Sequence, residues 1–281
     1  MLLIDLNQIV LSNLMMQIGS GKIKLEENLI RHMVLNTLRM YTKKFKHDYG
    51  NIVICCDSKH YWRRDYFPYY KANRKKDREK SKLDWTVIFH TMDNLRREFS
   101  EYFPYKVINV EGTEADDVIA VLCKKYSNVE PILILSSDKD FTQLQKYTNV
   151  KQYSPIAKSF LKSDNPQKYI REHILLGDRG DGIPNFISPD NTFVIGVRQK
   201  VINRKRLESW IHQEPESFCD DNMLRGYKRN QMLVDFDYIP MNIIEKIVKA
   251  YDDAIPASKT KMLNYFIEKR LKSLIETIDE F

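Results

Sequence analysis

EGTEADDVIAVLCKKYSNVEPILILSSDKD, residues Glu111–Asp140, carries the alternation that decides the fold. From Asp116 to Tyr126 apolar residues recur at helical spacing, and Ile132 to Leu135 is a short apolar run closing on acids. Just upstream, Val107 to Val110 reads as another strand. Strand, helix and strand in succession predict parallel pairing with the helix as crossover. Working outward, Leu2 to Leu6 and Asn51 to Cys56 repeat the apolar run, with a helical pattern from about Leu25 to Phe45 between them. A fifth short strand is predicted at Val150 to Tyr153. Runs without polar alternation belong to strands buried on both faces. The expected class is therefore α/β, a central mainly parallel sheet flanked by helices.

The predicted strands end in acid. Asp5 follows the first run, Asp57 follows IVICC, and Asp138 and Asp140 follow ILILSS. Glu114, Asp116 and Asp117 open the intervening helix and face the same edge. Asp178 and Asp181 form an i, i+3 pair in Gly177–Gly196, whose four glycines and two prolines read as loops and turns. Helix capping is the competing account: Thr113 with Asp116 looks like a capping box, and Ser137 or Asp138 could cap a helix starting near Phe141. Jointly, like charges on one rim repel unless cations neutralise them. An oxygen-only set with no nearby His or Cys suits hard ions such as magnesium or manganese. Two such ions can activate water and stabilise both oxygens of a phosphodiester displacement.

The chain has 281 residues and a net charge of +7. Lys59 to Lys82 holds ten Lys or Arg against three acids, so this segment equals the whole net charge and the remainder balances. Such a run is either a solvated face or a phosphate-binding surface. Lys71 and Arg74 in YYKANR have the spacing to share a helical face and donate to a scissile phosphate. Arg63, Arg64, Lys75 and Lys76 accompany them, and Tyr61, Trp62, Tyr69 and Tyr70 could stack on bases of an unpaired end. Trp62 and one tyrosine could instead anchor the segment to the core. With Pro68 inside it, the segment reads as an arch at about 59–84 that orders only with ligand.

Helical patterns at Pro166 to Leu176, Val201 to His212, Met223 to Leu233 and Ile239 to Tyr251 predict a helical region over 156–281, packed against an α/β core of 1–155. No apolar run approaches the roughly 20 residues of a membrane span. MLLIDLNQIV lacks a basic n-region and a small-residue cleavage site, so it reads as a buried strand and not a signal peptide. Four cysteines without a C-x-x-C fit neither a disulfide scaffold nor a zinc site, and point to a reducing compartment. No phosphate-cradling G-x-x-x-x-G-K-[ST] or G-x-G-x-x-G loop is present, which argues against a small-molecule phosphotransferase.

Taken together, the chain resembles the 5′→3′ exonuclease and flap endonuclease family over most of its length. The segments are LIDLNQI around Asp5, YWRRDYFPYYKANR (Tyr61–Arg74), EGTEADDVIA (Glu111–Ala120), ILSSDKDFTQL (Ile134–Leu144), LLGDRGDGIP (Leu175–Pro184) and LVDFDYIPMNI (Leu233–Ile243). The last points to the phage ribonuclease H branch. The resemblance implies a PIN-like nuclease domain with a basic arch, a divergent helix-hairpin-helix-like element on duplex DNA, and two Mg2+ ions, for which Mn2+ substitutes. On it, Asp5, Asp57, Asp116 and Asp138 lie nearest the first ion with Glu114 and Asp117 beside them, and Asp140, Asp178 and Asp181 lie around the second. Lys71 and Arg74 match the basic pair of the arch and Tyr70 the aromatic before it; Asp5, Asp138 and Asp140 join the pair as the catalytic set. The implied activity is 5′→3′ exonuclease on RNA–DNA and DNA duplexes with 5′-flap cleavage, removing RNA primers and adjacent DNA during phage replication. The implied setting is a monomer in the bacterial cytoplasm, meeting a phage single-strand-binding protein and a sliding clamp.

One departure matters. The family's Asn-Ile-Pro-Gly run is Gly182-Ile183-Pro184-Asn185 here, and only Gly196 and Lys200 echo the following Gly-x-Gly-x-Lys turn. This argues against the family's monovalent-ion site and shifts duplex contacts to Arg198, Lys200, Arg204 and Lys205. The alternative reading is a non-catalytic, structure-specific DNA-binding protein with a vestigial metal site.

Overall fold

The computed structural model describes residues 1–18, 26–81 and 83–281. Leu25, where the second helical pattern was expected to begin, and Lys82, the last cation of the basic segment, lie outside the described residues. Six strands form one sheet: β1 (Leu2–Asp5), β2 (Ile52–Cys55), β3 (Lys106–Ile108), β4 (Ile132–Leu135), β5 (Val150–Ser154) and β6 (Ser159–Leu161). Their order is β3-β2-β1-β4-β5-β6, parallel except for the antiparallel β5–β6 pair. Every residue of β1, β2 and β4 is buried, as unalternated apolar strands require. The α/β expectation and all five predicted strands stand. β6 is additional: three residues returning through a tight turn in which Lys158 takes φ 53°.

The chain divides into two compact units. One comprises Met1–Lys59, Asp84–Lys162 and Asn242–Phe281; the other comprises His60–Leu83 and Ser163–Met241. This departs from the division expected at about residue 155 in two ways. The last helices belong with the sheet, because Phe103 packs its ring against Tyr265, Phe266 and Phe281, and the Lys106 ammonium donates to the Tyr251 carbonyl at 2.6 Å. The start of the basic segment belongs with the helical unit, because Phe67 and Tyr70 are buried in one apolar cluster with Ile174, Phe186, Tyr227 and Leu233. Residues 60–72 are therefore built into a core and do not form a free arch. Only the helix Asn73–Lys80 leaves its cations mostly exposed. Among the described residues no helix is long and apolar enough to cross a membrane.

Candidate active site

β1 and β4 are neighbours at the point where strand order reverses, since β2 and β3 extend to one side and β5 and β6 to the other. Open α/β sheets bind ligands in the crevice beyond the carboxyl ends at such a point. Asp5 is the last residue of β1, and Asp138 stands just past β4. The Gln8 amide donates to Asp5 Oδ1 (3.0 Å), so Asp5 caps the helix Leu6–Ile18. The Ser136 hydroxyl donates to Asp5 Oδ2 (3.1 Å) and accepts from the Asp138 amide (3.2 Å), tying the two strand ends together. Asp57 accepts from the Ala115 amide at 2.8 Å, at the positive end of the helix Ala115–Tyr126, and from the Asn7 side chain.

Asp5 is 6% exposed, and its pKa is pushed up to about 7. Burial is the first cause, then the charge of Asp57, with that of Asp138 adding; the Gln8 and Ser136 hydrogen bonds pull it back only in part. Carboxylates drawn from three separate segments thus act on one another. Glu114 and Asp117 have a second role. They form a reciprocal capping box, each side chain accepting from the other's backbone amide, which accounts for their burial. The box lies one residue later than the Thr113–Asp116 pairing expected from sequence. Asp117 and Glu114 are both wholly buried in the box, which gives each a capping role, while Asp116 is half-buried in the first turn. Asp140 donates its amide to Asp138 Oδ1 (3.0 Å), which makes Asp138 the cap of the short helix Lys139–Lys146. These donors are oxygens, partly desolvated and mutually repelling, a set that fits a hard divalent cation.

The second unit carries its own constellation. The turn Arg179–Asp181 is zipped to the basic segment: the Lys71 amide donates to the Asp181 carbonyl (2.7 Å) and the Asn73 amide group to the Arg179 carbonyl (3.1 Å). On the Asp181 carboxylate converge the Tyr70 hydroxyl (3.0 Å), Arg74 Nη2 (2.5 Å) and Lys71 Nζ (3.6 Å). Burial alone would raise the Asp181 carboxyl; the Lys71 and Arg74 charges outweigh it and hold it below its ordinary range. Asp178 accepts from the Asp181 amide (3.0 Å), and the His173 ring lies 3.7 Å from its carboxylate, a nitrogen neighbour the sequence reading did not anticipate.

Several expectations for the basic segment change. Lys71 is not on a helix with Arg74; it sits in a turn at φ 55°, and the helix begins at Asn73. The two cations meet through Asp181, not through helical spacing. Trp62 and Tyr70 are buried and are core anchors, not base-stacking platforms, whereas Tyr61 and Tyr69 are half-buried. Arg63 is 2% exposed and donates from Nε to the Leu233 carbonyl (2.8 Å), so it braces the helical unit and does not face phosphate. Arg64 is half-buried, and Lys75, Lys76, Arg198, Lys200, Arg204 and Lys205 are exposed. Sequence reasoning also missed the brace of the Pro184–Lys200 loop. Arg229, buried in the helix Asp221–Val234, donates to the Pro184 and Asn185 carbonyls, and Asn185 donates to the Lys200 carbonyl.

Comparison with known proteins agrees with this geometry. The family described as 5′-3′ exonuclease, N-terminal resolvase-like domain, matches residues 1–173, and that described as T4 RNase H, C terminal, matches residues 165–281. The chain belongs to the 5′-3′ exonuclease family. It is 38% identical to the ribonuclease H of Enterobacteria phage T4, over 99% of this chain and 95% of the relative. It is 26% identical to a 5′-3′ exonuclease of Aquifex aeolicus over 75% of this chain and 72% of that one. Among solved structures, the bacteriophage T5 D15 protein crystallised with metal ions superimposes with a TM-score of 0.66 at 16% identity, over 90% of this chain and 98% of that one. At that identity the likeness shows the fold.

Proposed function

We propose that this chain is a metal-dependent 5′→3′ exonuclease with 5′-flap endonuclease activity, hydrolysing phosphodiester bonds in DNA and RNA–DNA duplexes from or near a free 5′ end. One observation carries the reading. Asp5, Asp57 and Asp138, from separate segments, stand at the switch point of the sheet, where burial first and then the charges of the other two raise the Asp5 carboxyl to about 7. Capping accounts for where each acid stands, but not for why carboxylates that repel one another were placed together on one edge. We assign Asp5, Asp57, Asp116 and Asp138, with Glu114 beside them, to magnesium, with manganese as a substitute. Bound to these oxygens, the metal would supply Lewis acidity at the phosphodiester.

The chain's own residues do the rest. Ser136 and the Gln8 amide fix the orientation of the Asp5 carboxylate, and the helix end at Ala115 fixes that of Asp57. Lys71 and Arg74 would neutralise the phosphate undergoing attack, where negative charge grows toward the transition state. Exposed Lys75, Lys76, Arg198 and Lys200 would hold the backbone on either side, without reading base sequence. Primer removal during phage replication, in the host cytoplasm and as a monomer alongside a single-strand-binding protein and a clamp, follows from the same reading. Nicked duplex, RNA–DNA hybrid and 5′-flap substrates, 5′-labelled and digested side by side with magnesium or with EDTA, test it. Release of short 5′ products only with metal is expected; cleavage in EDTA with trace metal excluded, or none with magnesium, overturns it.

A further inference from the structure

Tyr70, Lys71 and Arg74 all spend polar groups on one carboxylate, Asp181, and the backbone is shaped to make this happen. Lys71 holds φ 55°, a left-handed conformation that an L-residue adopts only when its surroundings enforce it. Opposite it, Gly182 has φ 73°, and a Cβ there would stand 2.9 Å from the Tyr69 carbonyl. The close approach of the two turns thus requires glycine at 182. Lys71 is 8% exposed, whereas the Arg74 side chain keeps 48% of its surface. The cations placed to receive a phosphate are therefore already neutralised from within, one of them out of reach of a bulky ligand.

We propose that Asp181 is a latch on the cation pair: without nucleic acid it holds Lys71 and Arg74, and a phosphodiester engages both only by displacing the carboxylate. The proposal rests on the nuclease reading only in taking a nucleic-acid phosphate as the ligand. Arg74, half exposed, is captured first. Lys71 follows once Asp181 has let go. Charge is conserved in the exchange, since one anionic oxygen replaces another on each cation. The released Asp181 carboxylate, one of the acids the resemblance assigns to a second ion, is then free for a metal. Phosphate capture by the cation pair and metal capture by Asp181 would in this way favour one another.

The test is a binding measurement in EDTA, which keeps it independent of turnover. Fluorescence anisotropy of a 5′-flapped DNA duplex is recorded over a salt series for the wild type, Asp181→Asn and Asp178→Asn. Asp178→Asn removes the same charge from the same turn without touching the pair. Asp181→Asn is expected to tighten binding about fivefold, the upper end of what an ion pair to a half-exposed cation such as Arg74 holds. The slope of log K against log salt should steepen by about 0.9 for each cation released to phosphate. Asp178→Asn should change affinity less than about twofold, and in an Arg74→Gln background the gain from Asp181→Asn should shrink to about twofold or less. Equal tightening by both single variants, no tightening, or a gain that survives Arg74→Gln overturns the latch. If Asp181→Asn does not fold by circular dichroism, Tyr70→Phe decides, since it takes the hydroxyl donor from the carboxylate and leaves both cations in place. Tighter binding supports the latch, and unchanged or weaker binding overturns it. Wild type that neither binds this DNA nor cleaves it with magnesium overturns the nuclease reading as well; wild type that does both, with Asp181→Asn matching Asp178→Asn, overturns the latch alone.

Discussion

Replacing Asp5 by Asn should stabilise the metal-free protein at pH 8 and cost it about 1 kcal/mol at pH 4, where only the disturbed Ser136 contact remains. The sign follows from the direction of the shift. Asp5 titrates near 7 in the folded chain against an ordinary 3.8, so the folded state holds this proton more tightly than the unfolded state. Stability is then full below about pH 4, falls as pH rises toward 7, and stays reduced above it. A tenfold difference in proton affinity is about 1.36 kcal/mol, so the whole penalty is at most about 4 kcal/mol. Part of it returns to the charges of Asp57 and Asp138 when Asp5 is neutral. Asn keeps an oxygen for the Gln8 amide but disturbs the Ser136 contact, which costs about 1 kcal/mol. A net gain of about 2 kcal/mol remains, a rise in melting temperature of roughly 4–8 °C. Differential scanning calorimetry in EDTA at both pH values measures it. Adding magnesium should reverse the ranking at pH 8, because the wild type gains a ligand linkage that the variant loses. If Asp5→Asn melts lower than wild type at pH 8 in EDTA, Asp5 is a structural cap whose charge the fold tolerates, and the assignment of the rim to a metal fails with it.

Four further outcomes are expected. Gly226→Ala lies within a helix, where Ala is favoured by about 1 kcal/mol, yet its Cβ would stand 2.0 Å from the Phe186 carbonyl oxygen. The clash wins, and urea unfolding should show a loss of about 2 kcal/mol; any gain refutes the close approach. Arg63→Met should cost about 1–3 kcal/mol by stranding the Leu233 carbonyl while leaving the salt dependence of DNA binding untouched. Replacing Lys75, Lys76 and Lys80 together by Gln should leave stability unchanged and lower the salt slope by about 0.9 per lost phosphate contact; filter binding separates the two patterns. Lys71→Ala should slow single-turnover cleavage about 10²-fold at saturating enzyme, and a wild-type rate there would move Lys71 out of the reacting centre.

What could be read from sequence was local and repetitive. Unalternated runs such as IVICC and ILIL gave the strands, and the spacing of apolar residues gave the helix Ala115–Tyr126 nearly to its ends. The helix Trp85–Tyr102 was equally legible, with Asp84 as its cap and Ile88, Thr91, Leu95 and Phe99 on its buried face, but a reading centred on the basic run before it passed it over. The helix Leu6–Ile18 was hidden for a different reason. Its sequence, LNQIVLSNLMMQI, continues the apolar character of β1, and only the cap formed by Asp5 marks where strand becomes helix. The state of Lys71 could not have been inferred from neighbours in the chain. Its backbone is fixed by Asp181, more than a hundred residues away, and its burial by the cluster around Tyr70.

The acids show why capping and ligation were wrongly set against each other. Asp5, Glu114 and Asp138 are all helix caps, a role the sequence suggested only for Asp138 among the three. Capping is also what makes them a site. In a parallel sheet every strand that hands over to a helix does so at the carboxyl edge, so an acid capping such a helix stands at that edge by construction. Its oxygen is held by a backbone amide, which fixes the direction of the other oxygen without a dedicated scaffold. A single such residue stabilises one helix by about 1 kcal/mol and carries no further meaning. The strand order β2-β1-β4 converts several of them into a crowd, and this is the one fact that no window of sequence contains. Burial is the largest cause of the raised affinity of Asp5 for its proton, and the charges of Asp57 and Asp138 add to it on the same carboxyl. Ser or Asn would cap as well as Asp, accepting from the same amides with no charge to repel. That chemically cheaper choices were not used at three adjoining helix starts is the physical argument that the charges are there for a cation.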